Sequence, residues 1–203
     1  MTHDHDFSFR RIEMFSDGVF AIIVTLLVLD LKVPEISSNA SMQETMNSLY
    51  LLAPQFISFT MSFLIVCIFW VNHHQFFSAL KKADRTFMWL NNILLFWLCF
   101  IPFPTAFIGR HPFNIAANML FGAVLLLAGA SFSILSHYVL FKSNLYDEHV
   151  DIKERKDIQR RGVAGVIIYA LSVLLAPVSV YISLTIFFIA PIFYFLPRKI
   201  NFS

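Results

Sequence analysis

Long, nearly uninterrupted apolar runs are the feature that most constrains this sequence. Several of these runs reach roughly 20 residues, enough to cross the hydrocarbon core of a bilayer as one helix. A soluble domain of 203 residues could not bury so much apolar surface, because its surface is too large for its volume. Only 14% of the residues are charged, against about a quarter in ordinary soluble domains. The sequence therefore predicts an all-α integral membrane protein with one transmembrane domain, residues 1–203.

Hydropathy divides the chain into six predicted transmembrane helices. The last apolar stretch, 162–196, is too long for one crossing and about right for two, and Pro177 disfavours helix at the preceding Ala176. The predicted spans are about 12–33, 49–72, 87–107, 113–141, 162–176 and 178–196. Pro102 and Pro104 should interrupt the third span near its outer end.

Positively charged residues orient these spans. With both termini in the cytoplasm, the inner segments hold 13 Lys and Arg residues and the outer segments hold only Lys32 and Arg110. This bias is typical of cytoplasmic segments, and an odd number of spans would destroy it. We therefore expect a multi-pass protein of the cell (plasma) membrane, in contact with membrane lipids, with both termini cytoplasmic.

Charge, cysteines and motifs exclude several function classes. The net charge is only +2 and the basic residues are spread along the chain, so no nucleic-acid partner is expected. Cys67 and Cys99 each lie inside an apolar run, which argues against a disulfide framework or a cysteine metal site. The sequence holds no nucleophile–base arrangement and no phosphate-binding glycine loop, so neither an enzyme nor a cofactor is predicted.

Polar residues inside the predicted spans are expensive in hydrocarbon and mark function or a buried partner. Ser16 and Asp17 lie near the start of the first span, where one of them could cap the helix. Alternatively, the helix begins nearer Ser8 and carries both in its interior, and Asp17 then needs a partner from the bundle. The candidate partners are Arg11, His73, His74 and Asn92.

His73 and His74 end the second span. Adjacent helical residues point about 100° apart, so the two imidazoles cannot bind one metal ion as an i, i+4 pair would. Hydrogen bonding at the inner membrane face is the stronger prediction, and no metal site is predicted. The sequence also contains no TVGYG-type segment, the filter of ordinary potassium channels.

One segment of the first span has an unusual sequence. Residues 11–22 read Arg-Ile-Glu-Met-Phe-Ser-Asp-Gly-Val-Phe-Ala-Ile, with Arg11 four residues before the triplet Phe15-Ser16-Asp17. The segment resembles the R-x-x-x-F-S-D signature that opens the first helix of the lysosomal potassium channel family (transmembrane protein 175-like), in its prokaryotic form. Features of that family's second and third helices are matched by Trp70, His73, His74, Asn92 and the run 102–105.

The resemblance implies a potassium-preferring cation channel with no carbonyl-lined filter. It also implies a homotetramer, because prokaryotic members carry one six-span repeat where animal members carry two. The first helices would line the pore, and aliphatic rings at Ile22, Leu26 and Leu29 would form its constriction, a hydrophobic gate. These three residues lie within a stripe about 60° wide on a helix. Without the resemblance, they would be assigned to lipid contact or packing.

The angle of each side chain around the helix axis separates the remaining polar residues into a structural group and a group near the pore. Asp17 lies about 140° from Ile22, which suits a structural network that ties the first helix to the second and third. That network would comprise Arg11, Phe15, Ser16, Asp17, Trp70, His73, His74 and Asn92. Thr25 lies about 60° off the stripe and could reach the pore, and Asp30 would lie at the outer mouth, where acidic side chains concentrate cations.

Potassium should cross an aliphatic ring more readily than sodium, because it holds its hydration water less tightly. Potassium and caesium are therefore the expected permeant ions, with sodium less favoured. The main alternative is a proton-coupled secondary transporter that uses Asp17, His73 and His74, although the sequence shows neither inverted repeats nor a helix broken at the midplane. A membrane-embedded metal-dependent enzyme is a third reading and would require bound metal.

Overall fold

The computed structural model describes residues 9–80, 82–145 and 152–195, and its elements there are helices. They are α1 Phe9–Val28, α2 Met42–Leu51, α3 Ala53–Ser78, α4 Arg85–Cys99, α5 Pro102–Arg110, α6 Ile115–His137, α7 Ile152–Leu175 and α8 Val180–Phe195. One π-helical turn, Tyr138–Lys142, extends α6. The predicted end of the sixth span, Lys81 and the basic residues at 198 and 199 lie outside the described residues.

α6 is the helix around which the described bundle is arranged. It packs against α4, α5, α7 and α8, while α1 packs against α3, α4 and α5. Phe121, Leu125 and Ala128 of α6 are fully buried, and Phe121 meets Phe187 of α8 edge to face with ring centroids 4.9 Å apart. The core therefore consists of apolar side chains between helices.

Within the described ranges, four helical segments are long and apolar enough to cross a membrane. They are Ala53–Ser78, Arg85–Arg110, Ile115–Lys142 and Arg155–Leu175, and they correspond to the second to fifth predicted spans. α1 is long enough to cross a membrane but is too highly charged to be counted with these four segments, because it carries Arg10, Arg11, Glu13 and Asp17. The apolar part of α8, Val180–Pro191, is shorter than the other four.

Proline and turn residues set several helix ends near the predicted places. α7 ends at Leu175 and α8 begins at Val180, so the two helices lie on either side of Ala176-Pro177. The third predicted span is likewise interrupted, since α4 ends at Cys99 and α5 begins at Pro102. α1 ends at Val28 and not near residue 33, because the chain turns at Leu29 and Asp30.

α2 is a separate helix that hydropathy did not predict. Its N-cap is Ser41, whose hydroxyl accepts a hydrogen bond from the Glu44 backbone N–H while the Glu44 carboxylate accepts from the Ser41 N–H. This reciprocal capping satisfies two backbone donors at the helix start. None of the α2 residues is buried, so the second predicted span begins with α3 at Ala53 rather than near residue 49.

A close helix crossing joins α5 to α3. A Cβ added at Gly109 would meet Ser58 Oγ at 2.5 Å and Gln55 Cα at 3.2 Å, and the Ser58 hydroxyl is already bonded to the Gln55 carbonyl over 2.9 Å. The buried hydroxyls of Ser62 and Thr105 lie 2.8 Å apart across the same pair of helices. The short α5 is therefore held by close contact and a hydrogen bond.

Gly109→Ala should destabilise this crossing, because the backbone of α3 would have to move. Overpacking of this kind costs about 1–3 kcal/mol, and the melting temperature in detergent should fall by several degrees. Gly129→Ala is the matched control, since its Cβ would meet Val166 Cγ2 at an ordinary 3.8 Å and alanine is the better helix former. Equal melting temperatures for the two variants would contradict the close crossing.

Candidate functional site

One face of α1 is buried in the bundle along most of the helix. Its buried residues are Ser16, Phe20, Ile23 and Leu27, at spacings that place them on one stripe of a helix. Ile23 is only 1% exposed and Leu27 is fully buried. The helix begins at Phe9, so Ser16 and Asp17 lie in its interior and neither caps it.

A chain of hydrogen bonds ties this buried face to α3 and α4. Asn91 Nδ2 donates to Ser16 Oγ over 2.9 Å, and the Ser16 hydroxyl donates to the Ile12 carbonyl over 2.9 Å. The other end of the amide, Asn91 Oδ1, lies 3.0 Å from His73 Nε2. A carbonyl oxygen can only accept, so His73 carries its proton on Nε2.

Aromatic rings enclose this chain. The His73 ring stacks on Phe77 with centroids 3.9 Å apart, and Phe20 meets it edge-on at 5.3 Å. Ser16 and Asn91 are fully buried and His73 is 1% exposed. Water therefore cannot replace these hydrogen bonds in the folded chain, and each would be costly to lose.

Asp17 has a partner that the sequence analysis did not propose for it. Its carboxylate accepts a hydrogen bond from Trp70 Nε1 over 3.0 Å, and the Trp70 ring stacks on His74 with centroids 5.8 Å apart. Unlike the Ser16 bond, this contact lies at the surface of the chain. Asp17 and Ser16 thus attach neighbouring positions of α1 to α3 and α4.

The network differs from the sequence-based assignment in three residues, Arg11, Phe15 and Asn92. The amide that joins the helices belongs to Asn91, whereas Asn92 is half-exposed, because adjacent helical residues point about 100° apart. Arg11 and Phe15 are exposed rather than gathered with Ser16 and Asp17. The sequence offered no signal for this choice. Asn91 shares a stripe of α4 with Phe87 and Leu94, both of which are buried, but Asn92 shares an equally apolar stripe with Met88 and Leu95.

The opposite face of α1 is uncovered. Ile22, Leu26 and Leu29 are 59%, 43% and 71% exposed, so all three members of the sequence-predicted constriction lie on this face. Thr25 is exposed beside them, and its hydroxyl donates to the backbone carbonyls of Ala21 and Ile22. Among the described residues, these side chains form an aliphatic surface on the side of α1 away from its buried stripe. We call it the open face of α1.

Just after the C-terminal end of α1, Asp30 is half-buried. It borders a cavity of about 10 Å³ together with Gln55, Ser58 and Thr105, enough for about one water molecule. Within the described residues, no three His, Cys, Asp or Glu side chains are placed to hold a metal ion. The site therefore consists of an aliphatic face braced from behind by neutral hydrogen bonds.

Comparison with known proteins identifies the family. A family profile described as endosomal/lysosomal potassium channel TMEM175 matches residues 11–102, which include the signature and its partners in α3 and α4. A potassium channel of Chryseobacterium sp. (strain P1-3) is 33% identical over 189 residues, which make up 93% of each protein. The chain belongs to the TMEM175 family.

Two further comparisons support this family assignment. A potassium channel of Chamaesiphon minutus is 34% identical over 91% of this chain and 92% of its own length. The crystal structure of a lysosomal potassium-selective channel TMEM175 homolog from the same organism matches this fold with a TM-score of 0.80 at 32% identity, over 92% of this chain and 95% of that one. The family resemblance of residues 11–22 is confirmed, and the chain is an all-helical, multi-pass membrane protein.

The hydrogen-bond chain behind α1 allows a direct test in this TMEM175-family protein. Asn91→Ala would leave the Nε2 proton of the buried His73 without an acceptor, which costs about 1–3 kcal/mol. The melting temperature of the purified protein should fall by several degrees.

Asn92→Ala is the control for this experiment, because it removes the same amide from the half-exposed neighbouring position. A change within about 0.5 kcal/mol is expected there. If the Asn92 variant were the less stable of the two, the assignment of the network to Asn91 would be wrong.

Proposed function

We propose that this chain is a subunit of a potassium-preferring cation channel, with α1 next to a central pore. The open face of α1 carries this proposal. A helix between a protein bundle and a pore needs one face packed against the bundle and another left uncovered, and α1 divides in this way. The printed names of the relatives, potassium channels in both bacteria, support the choice of ion.

The proposed assembly is a homotetramer. Each chain contributes one open face, and one or two helices cannot enclose a pore, whereas four around an axis can. In this arrangement α1 and α8 cross the membrane with the four longer apolar segments, which gives six spans and a single channel domain. The Lys and Arg bias then places both ends of the chain in the cytoplasm of a cell whose plasma membrane holds the channel.

Rings of Ile22, Leu26 and Leu29 would control conduction by hydration. Aliphatic side chains offer a cation nothing in place of water, so a narrow dry ring is closed and a wider, wetted ring conducts. The ion that loses water more easily has the lower barrier, which favours potassium and caesium over sodium. The Thr25 hydroxyl already donates a hydrogen bond to its own helix, but its oxygen can still accept a hydrogen bond from the hydration water of a passing ion.

Acidic groups at the proposed outer mouth would concentrate cations. Asp30 follows the last ring directly, and Glu35 and Glu44 line an open cleft in the connection beyond it. Hydrogen bonds from the Ser41 backbone and hydroxyl hold the pKa of Glu44 below its usual value, so this carboxylate stays charged in mildly acidic surroundings. Such fixed negative charge raises the local cation concentration.

The polar residues behind α1 serve as braces in this proposal. A transporter that moves protons through Asp17 and His73 would need these groups free to change partners. Instead, Asp17 accepts the Trp70 N–H, and His73 is held between Asn91 and the Phe77 ring. These contacts favour the structural role, which leaves the open face for conduction.

Ion flux into liposomes tests the function directly. Purified protein should carry potassium and caesium down their gradients faster than sodium, and single-channel recordings should show steps too large for a transport cycle. Uptake that occurs only with a proton gradient and shows no unitary current steps would favour the transporter.

A second test changes the proposed constriction. Ile22→Asn replaces each aliphatic ring member with an amide that holds water and can solvate a cation. The barrier should fall more for sodium than for potassium, so current should rise and the preference for potassium should shrink, as measured by reversal potentials in mixed ions.

The control for this test must be exposed but off the open face. Ile23 is unsuitable because it is 1% exposed and a polar substitution would damage the core. Val28 is 48% exposed and lies about 120° from Ile22, so Val28→Asn should leave ion preference unchanged. Equal shifts in the two variants would rule out a hydrophobic ring at position 22.

A further inference from the structure

Arg11 is an exposed cation on α1 that the structural network does not use. Its side chain is exposed, and among the described residues no hydrogen bond or ion pair holds its guanidinium. The nearby acidic side chains on α1 point elsewhere. Asp17 is about 120° around the helix and Glu13 about 160°, and Asp17 is bonded to Trp70.

Helical geometry places Arg11 on the open face. It precedes Ile22 by 11 residues, which is close to three full turns, so the two side chains point within about 20° of each other. The rise between them is about 16 Å. The basic residues nearest in sequence to the proposed pore, Arg10 and Arg11, lie at its cytoplasmic end, while Asp30 lies at the outer end.

We propose that Arg11 forms a positively charged ring at the cytoplasmic mouth of the pore and makes the channel pass inward cation current more easily than outward current. The inference rests on the proposed function, since the ring exists only if four α1 helices surround one pore. A fixed positive potential at a mouth depletes cations there, as a negative potential enriches them. At the cytoplasmic mouth the cation concentration would be lowered, which reduces outward current. At the outer mouth the acidic groups would raise it, which favours inward current.

The effect should depend on salt in a predictable way. The Debye length is about 10 Å at 0.1 M and about 3 Å at 1 M ionic strength. At the lower salt, the four guanidinium groups act on the whole mouth, and at the higher salt each acts only on its immediate surroundings. A purely structural arginine would contribute nothing to this dependence, so its neutralisation would leave the rectification at 0.1 M unchanged.

The experiment measures current–voltage curves in excised patches, which fix the orientation of the channel, with the same potassium concentration on both sides. At 0.1 M potassium, inward current should exceed outward current at least about twofold, and at 1 M the two should approach equality. In Arg11→Gln, outward current at 0.1 M should rise toward the inward value. Arg11→Lys retains the charge and should retain the rectification.

Arg10→Gln is the matched control, because Arg10 is also exposed but lies about 120° from Ile22, so rectification should fall clearly less in this variant than in Arg11→Gln. If Arg11→Gln fails to assemble, the outer groups are neutralised instead, with Asp30→Asn, Glu35→Gln and Glu44→Gln combined. Salt-dependent inward rectification that persists in that variant supports the ring at Arg11, and its complete loss would overturn the ring. Potassium currents that are symmetric at 0.1 M and unaffected by Arg11→Gln would overturn the charged ring while leaving the channel intact. A wild-type protein without potassium current would instead refute the proposed function itself.

Discussion

The rotation of α1 about its axis is set by three hydrogen bonds in series. They run from His73 to Asn91, from Asn91 to Ser16 and from Ser16 to its own helix. Because Ser16 must face Asn91, side chains on the far side of the helix must face away from the bundle. Ile22 and Leu29 lie about 120–140° from Ser16, and both are exposed. The uncovered aliphatic surface is thus a geometric result of a polar contact on the opposite side.

This anchor is built from neutral groups, although a carboxylate and an arginine lie close by in sequence. Burying an ion pair costs desolvation energy that the attraction between the charges often fails to recover. Serine, asparagine and a singly protonated histidine can satisfy one another without that cost, and the rings of Phe20 and Phe77 exclude competing water. The charged Asp17 is instead bonded at the surface of the chain, to Trp70.

Much of the fold was predictable from sequence because hydrocarbon permits few backbone structures. Without water to bond exposed backbone groups, a long apolar segment must be a helix, and proline marks where helices end, as at Pro102 and Pro177. Short polar helices lack this constraint, so α2 depends on a local capping contact that hydropathy does not detect. The signature motif predicted which helix carries the candidate site, since no periodicity distinguishes Ile22 from its apolar neighbours.

The finer placement of the site could not be read from the sequence for a different reason. Asn91 and Asn92 have the same chemistry, and only the rotation of α4 within the bundle decides which amide is buried. Arg11 likewise belongs to the signature by sequence, but its position one and a half turns before Ser16 turns it away from the network. Both outcomes depend on how helices pack, which a single sequence does not specify.

The hydrogen bonds behind α1 also have a consequence for how the protein is made. α1 is synthesised before its partners, which follow 53 residues later for Asp17 and 75 residues later for Ser16. At about 5–20 residues per second, several seconds separate the synthesis of α1 from that of the side chains to which it bonds. The contacts that fix the rotation of α1 are therefore completed late in biosynthesis, only after α3 and α4 have been made.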